Sequence, residues 1–372
     1  MILFPLLFYF NGCYSSPNND CQIIEDQTIN SRLILNPSSD FCIKIKNCIF
    51  HNIECDIFDN GGAISVSHNL TTLTIQESLF TFCNCFQRKG GALFYQLKNA
   101  TIDRCCAFCC FSIYGLFSEG VTSDFQYVNL STITGCNTND AKFSCAVMNT
   151  IGGTQILRNI NSSMNNMNTF GAAGISVMSN ELSLSFCSFS ENIGESIINI
   201  NYDASPTFFI RSLEKINVYN NTIRTDSYIS QAVVNIFTYN VTISDAIFVE
   251  NSADNENKTF TFYEARTVKS LIIGCIFDNF KTKFSMNTQN CIFDTVAPTY
   301  NIQFLNTQMC NILPSEPSSK NTIIIVSSAV GGALLLTIVI IAIFLVIKRR
   351  KNKIITTVID DRYLLDNNKD VV

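Results

Sequence analysis

The sequence predicts an all-β chain: a right-handed parallel β-helix solenoid followed by one C-terminal transmembrane α-helix. Three observations predict it. A string built as small residue, aliphatic, Phe recurs at Phe50, Phe80, Phe108, Phe189, Phe248, Phe277 and Phe293, at intervals of 30, 28, 81, 59, 29 and 16 residues. All but the last interval are multiples of about 28, and a fixed period of 20–50 residues is the signature of a solenoid. Within each unit the apolar residues alternate with polar ones, as at Ile43 and Ile45, Ile64 and Val66, Leu73 and Ile75, Leu182, Leu184 and Phe186, or Val241 and Ile243. That period of two belongs to short, half-buried strands. Finally, the 25 residues from Ile323 to Ile347 carry no charge, which is long enough to cross a hydrocarbon layer of roughly 30 Å.

At the N-terminus, "MILFPLLFYF" is too short to span a bilayer and is followed by small residues through Ser16. It predicts a signal peptide over 1–15. The ectodomain then runs over 16–310. All 17 cysteines lie at or before Cys310, so they sit in a compartment that permits disulfides.

Strands this short, two or three per unit with no crossover helix, are most simply satisfied when each unit is one coil. Its strands then pair with their equivalents in the coils on either side. A stacked β-sandwich array would instead show turns every 8–12 residues and no such register. Equivalent residues stack in a coil, so the phenylalanines are expected to form an interior aromatic column at roughly 4.8 Å spacing. Gly61, Gly62, Gly90 and Gly91 are expected to mark a corner with φ > 0 or no room for a Cβ, turning Ala63 and Ala92 inward. Asn192 and Asn251, each three residues after its Phe, are expected to pair amides along the column. Degenerate copies are expected around Cys136, Ile160 and Ile216.

The segment 311–320 reads as a linker, 321–347 as the membrane span and 348–372 as the tail. Lys348, Arg349, Arg350, Lys351 and Lys353 follow the span directly, which places the C-terminus in the cytosol. In that tail Asp360 precedes Leu364 and Leu365 with the spacing of an acidic dileucine sorting signal, read by a cytosolic adaptor. Ser327 and Gly331, like Ser328 and Gly332, have the small-residue spacing that lets membrane helices approach closely. Seven of the 25 Lys and Arg, and four of the 30 Asp and Glu, belong to the tail. The ectodomain is therefore mildly acidic, which argues against nucleic acid as a partner.

The repeats carry a resemblance. "GGAI" from Gly61, "GGAL" from Gly90, "FSEN" from Phe189 and "FVEN" from Phe248 resemble the repeats of polymorphic outer membrane proteins, bacterial surface autotransporters with similar repeats in surface proteins of some parasitic protists. The resemblance covers about 41–295. It implies a β-helical passenger displayed at the surface, engaged in adhesion or antigenic display, and it supplies no catalytic residue. The bacterial members end in a membrane β-barrel, whereas this chain ends in a helix and a basic tail, like the protist kind.

Cys106 and Cys109 have a Cys-x-x-Cys spacing, but no histidine lies near, so disulfides or stacked buried thiols are the expectation and no metal or cofactor. A glycosidase on this fold needs two carboxylates facing each other across about 5–9 Å. Asp56 and Asp59 have no acidic equivalents one unit on, where Phe86 and Lys89 stand; Asp254 and Glu256 lie in a polar stretch. His51 and His68 have no Ser or Cys motif around them. Sequons begin at Asn69, Asn99, Asn129, Asn161, Asn220, Asn240 and Asn257, about as many as composition alone yields, and are glycosylation candidates. The expectation is a plasma-membrane, type I surface protein that binds an extracellular protein or glycan. The alternatives are a carbohydrate-active lyase or hydrolase, or an antigenic coat with no specific ligand. Stacked acids with a basic neighbour on one coil face would favour the enzyme, and an Asn-rich face would favour binding.

Overall fold

The computed structural model describes residues 21–293 except 37–40, 57–58, 138–145, 168–170, 202–208, 225–231, 239, 254–259, 265–269, 279 and 281–286. The signal peptide, linker, span, tail, Asn257, Asp254, Glu256, Asp360, Leu364 and Leu365 lie outside the described residues. Every regular element among the described residues is a β-strand, and all the strands pair in parallel. The fold is a parallel β-solenoid.

Each turn has three walls. The first includes Ile64, Leu93 and Ser118 in one continuous register and runs on through Met148, Ile175, Ile198, Val234 and Phe262. The second stacks Ile45, Ile75, Ile102, Val128, Leu157, Leu184, Leu213, Ile243 and Ile272. In the early turns both walls are formed by one long strand, such as Leu93–Asp103. The third wall is a ten-stranded sheet of short strands, from Thr28–Ile29 to Ile276–Phe277, stacked in chain order. The degenerate copies take their places in it as Thr132–Thr134, Asn161–Ser163 and Asn217–Tyr219.

Two left-handed residues bracket the third-wall strands from Ile49–His51 to Ile247–Val249, and their identities are chemically mixed: Arg104 (φ 54°), Leu130 (48°), Phe186 (56°) and Lys215 (52°) all occupy the first corner. Each L-residue in this region costs about 1 kcal/mol, which the ladder bonds on both sides offset. Phe186, whose place in the alternation suggested an inward side chain, is therefore turned out and exposed. In several turns the residue after the corner is small and closes it with its own donor. Ser78 Oγ donates to the Gln76 carbonyl (2.8 Å), Ser131 Oγ to Asn129 (2.9 Å), and the thiols of Cys105 and Cys187 to Asp103 (3.4 Å) and Ser185 (3.2 Å).

The phenylalanine column exists in two pieces. Phe50 and Phe80 stack at 4.8 Å and 4°, and Phe248, Phe277 and Phe293 stack at 5.2 and 5.6 Å. Phe189 is fully buried between Ser162 and Val218. Phe108 departs from the expected register: Ala107, not Phe108, lies across from Phe80, while Phe108 faces Thr81. The doublet Cys105-Cys106 allows two alignments, and the corner at Arg104 selects the one that starts a residue earlier. Phe117 from the first wall fills the space that Ala107 leaves, 5.7 Å from Phe80.

The glycines act as expected, by two different constraints. Gly61 and Gly90 have φ of 78° and 70°; a Cβ on Gly62 or Gly91 would lie 1.8 or 1.9 Å from the carbonyl oxygen of Gly91 or Leu116 in the next turn. Ala63 and Ala92 are fully buried. The core is aliphatic along most of its length but admits Gln126, Gln155 and Arg211 on the second wall, Arg211 donating to the Ser179 carbonyl at 2.9 Å.

Candidate functional site

Side chains on the first wall alternate between the core and the outer face. The outward line is Ser65, Phe94, Glu119, Asn149, Ser176, Asn199, Asn235 and Tyr263, consecutive in register. From Glu119 onward it is polar and sheltered: Glu119 is 2%, Asn149 6% and Ser176 3% exposed. Turned away from the apolar core and sheltered from bulk solvent by the chain itself, these groups find partners within the fold, as Asn149 and Glu119 do.

The N-terminal end of this line is the accessible one. Lys89 Nζ, itself about half exposed, pairs with Glu119 Oε1 at 3.1 Å, and Asn149 Nδ2 donates to Glu119 Oε2 at 2.6 Å. One buried carboxylate is thus held from both neighbouring turns, which repays part of its desolvation. Lys89 also lies 5.8 Å from the Tyr114 ring centre. On the same two short strands, Phe86 is 51% exposed and meets Phe111 at 5.2 Å between ring centres. Aromatic rings, a cation, an anion and amides therefore converge at one end of a polar ladder. Behind it, Tyr95 leans into the space above Gly120, and burial, with Glu119 nearby, raises its hydroxyl well above the ordinary tyrosine range.

Sequence reasoning missed Glu119. Its signal was present: a lone acid at an outward strand position, aligned with Phe94 and Asn149, but visible only once the register is fixed. The other candidates are dispersed. Asp59 pairs with Arg32 at 2.5 Å, and Asp56 is exposed. His51 Nδ1 lies 2.8 Å from Thr81 Oγ1, and His68 Nδ1 3.2 Å from Thr71 Oγ1. Among the described residues no group of three or more His, Cys, Asp or Glu could hold a metal ion.

The cysteines divide by wall. Cys21–Cys42 and Cys55–Cys85 are disulfides joining neighbouring turns. Cys106 is disulfide-bonded while Cys109 is in no disulfide, so the two do not act as a pair. Cys83, Cys110 and Cys136 stack at the second corner as buried free thiols. Burial pushes Cys83 and Cys136 well up; burial also opposes charge on Cys110, but thiols on both sides hydrogen-bond to it and hold it below its neighbours. Of the sequon asparagines, Asn69, Asn220 and Asn240 are exposed, and Asn99, Asn129 and Asn161 half-buried. The Asn129 amide is engaged, donating to Asp103 Oδ1 at 2.9 Å.

Compared with protein-family models and with curated proteins, the chain matches none.

Proposed function

We propose that this is a single-pass type I surface protein whose right-handed solenoid binds an extracellular protein or glycan and does no chemistry on it. In this reading 1–15 is removed, 321–347 spans the membrane and 348–372 meets the sorting machinery in the cytosol. The right hand is the one that parallel crossovers favour. The repeat resemblance to surface-displayed passengers supports the placement.

The observation that carries the reading is the outward ladder Glu119, Asn149, Ser176, Asn199 and Asn235. It holds one acid with one lysine, and otherwise amides and a hydroxyl. Hydrolysis of a glycoside needs a second carboxylate opposite the first, and the positions on either side of Glu119 are Phe94 and Asn149. Amides repeated at strand spacing offer donors and acceptors in a row, and the Phe86–Phe111 pair supplies an apolar platform beside them. The accessible end of this line, Lys89 with the exposed Phe86 against Phe111, suits recognition of a hydroxyl-rich or peptide chain, with the sheltered ladder holding Glu119 in place behind it.

The test is binding of the purified protein to glycan and cell panels, with sugar release followed in the same wells. Saturable binding, weakened about tenfold or more by Phe86→Ala or Lys89→Ala with the fold intact by circular dichroism, supports the reading. Turnover, or binding indifferent to both substitutions, overturns it.

A further inference from the structure

Both disulfides described above join residues that face each other across a ladder. Cys21 and Cys42 precede the register partners Gln22 and Ile43, and Cys55 and Cys85 follow the partners Glu54 and Asn84. Their Cα atoms lie 4.5 and 5.1 Å apart, within the range that a disulfide needs. Strands stacked in register at about 4.8 Å bring any two cysteines at one position of neighbouring turns to that distance.

At the position after the first corner, cysteines are kept apart along most of the stack. Cys48 is followed in the next turn by Ser78, Cys105 by Ser131 and Cys187 by Ile216. The exception closes the series. Leu271, Ile272 and Ile273 pair with Asn287, Thr288 and Gln289, and Ile276 pairs with Ile292, so Cys275 and Cys291 are direct neighbours. Ile292 N–H donates to the Cys275 carbonyl at 2.9 Å, and Gly274 N–H to the Gln289 carbonyl at 2.9 Å. Both cysteines are thiols. The Cys291 thiol donates back to the Ile272 carbonyl at 3.6 Å, which leans its sulfur toward the turn of Cys275.

The two differ in access. Cys275 is fully buried, and burial pushes its thiol up to about 12, whereas Cys291 is half-buried. The turn they would close is also the least supported. Asn287–Gln289 is exposed along its length, Ile292 is 50% and Phe293 39% exposed, and among the described residues this turn has a neighbour on one side only. Turns at the end of a stack open more readily than interior ones for that reason. At the opposite end, Cys21–Cys42 holds the first described turn to the next across a separation of 21 residues; Cys275 and Cys291 are 16 apart.

We propose that Cys275 and Cys291 are an oxidisable pair that forms a further cross-turn disulfide and staples the last described turn to the one before it. The inference is independent of what the first wall binds. The oxidant is a low-molecular-weight disulfide such as oxidised glutathione. Cys291, the thiol that solvent reaches, attacks one of its sulfurs as the thiolate. The new bond to Cys291 Sγ forms as the reagent's S–S bond breaks, and the departing thiolate takes up a proton in place of the one Cys291 gave up. Cys275 then loses its proton and attacks Cys291 Sγ, and the second glutathione leaves as a thiol. Two protein thiols have given up two electrons, and one small disulfide has become two thiols.

The test is to incubate the full-length chain with oxidised glutathione, then to alkylate it unfolded without reduction, digest it and map the peptides. The expected result is a peptide joining Cys275 to Cys291 in the unaltered chain, and in Cys275→Ser a glutathione adduct that stays on Cys291. Serine already fills this position at Ser78 and Ser131, so the variant keeps the fold. Bridging is also expected to slow hydrogen exchange at the Ile292 N–H about tenfold or more, because it restricts the open state of the turn. A Cys275 that is still alkylated in the unaltered chain, a Cys291 joined to any other cysteine, or exchange at Ile292 that bridging leaves unchanged would each overturn the proposal.

Discussion

The position that follows the second corner is occupied by thiols in the N-terminal turns and by amides in the C-terminal ones. Cys83, Cys110 and Cys136 lie in line with Asn165, Asn192, Asn221 and Asn251, because the strand register carries through from one set to the other. The local task is shared: each side chain must satisfy a carbonyl that the left-handed corner turns inward. The thiols donate weakly, Cys110 to the Phe108 carbonyl at 3.7 Å and Cys136 to Thr134 at 3.8 Å. The amides do more. Asn192 Nδ2 donates to the Ser162 carbonyl (2.9 Å) and to Asn221 Oδ1 (3.1 Å), while its own oxygen accepts from the backbone N–H and Nδ2 of Asn165 at 3.1 Å each. One column is therefore held by hydrogen bonds and the other by apolar packing, with the Cys55–Cys85 bridge beside it. The same backbone solution tolerates both chemistries.

The largest expected effect breaks the amide column at its middle. Asn192→Ala removes the partner of the buried Asn165 N–H and the amide donor to the Ser162 carbonyl, while Asn165 Nδ2 keeps the Ile133 carbonyl and Ser162 Oγ. At about 1–3 kcal/mol per orphaned group, lessened by relaxation, the loss is about 3 kcal/mol. Urea unfolding followed by far-ultraviolet circular dichroism measures it. A loss below about 1 kcal/mol would mean that the column contributes little beyond filling space.

Alkali loads the buried thiols, Cys83 and Cys136 in the thiol column and Cys48, Cys105, Cys187 and Cys275 after the first corner, whereas Cys110, held low by the thiols beside it, works in the opposite direction. Burial pushes the thiols of Cys105, Cys187 and Cys275 up to about 12 from 9.0, and raises Cys48, Cys83 and Cys136 as well. In the unfolded chain these thiols lose their protons near pH 9, so above that pH the folded state binds more protons and stability falls as pH rises. The stabilisation is fully present below about pH 9 and is lost between about 9 and 12. Each thiol contributes a slope of at most about 1.4 kcal/mol per pH unit. Four of the six lie in the turns before Asn165, so limited proteolysis at about pH 10.5 is expected to cut the N-terminal turns first. Cleavage beginning in the amide-lined turns would contradict the contrast.

How much of this was readable in advance follows from what each residue contacts. The Phe column announced the register wherever its residue meets the core, as at Phe50, Phe189 or Phe248, because an interior position admits few side chains. The corners were invisible: Arg104, Leu130, Phe186 and Lys215 share a left-handed backbone that none of them favours, since the ladders on either side dictate it. Asn192 and Asn251 were legible from F-x-x-N, but Asn165 and Asn221 follow Ser162 and Val218 instead of Phe. Only the completed register joins the four. Glu119 was hidden for the same reason, its neighbours in space lying about thirty residues away on each side.

The smallest effect is the sharpest test of whether the two columns obey one rule. Cys136 sits at the junction, and its backbone N–H already donates to Asn165 Oδ1 at 2.9 Å, the contact by which each amide of the column receives its neighbour. In Cys136→Asn the new amide can donate to Asn165 Oδ1 and offer its oxygen to the N–H of Cys110, extending the column by one turn at similar volume. The expected change in stability is within about 1 kcal/mol of zero. Cys83→Asn places the same group two turns away, with Cys110 next in line and no amide to receive it, so an unpartnered buried donor costs about 2 kcal/mol. What matters is the difference between the two variants. Equal losses would mean that the thiol turns are shaped for sulfur; a loss confined to Cys83→Asn would mean that an amide is accepted wherever the next turn already carries one.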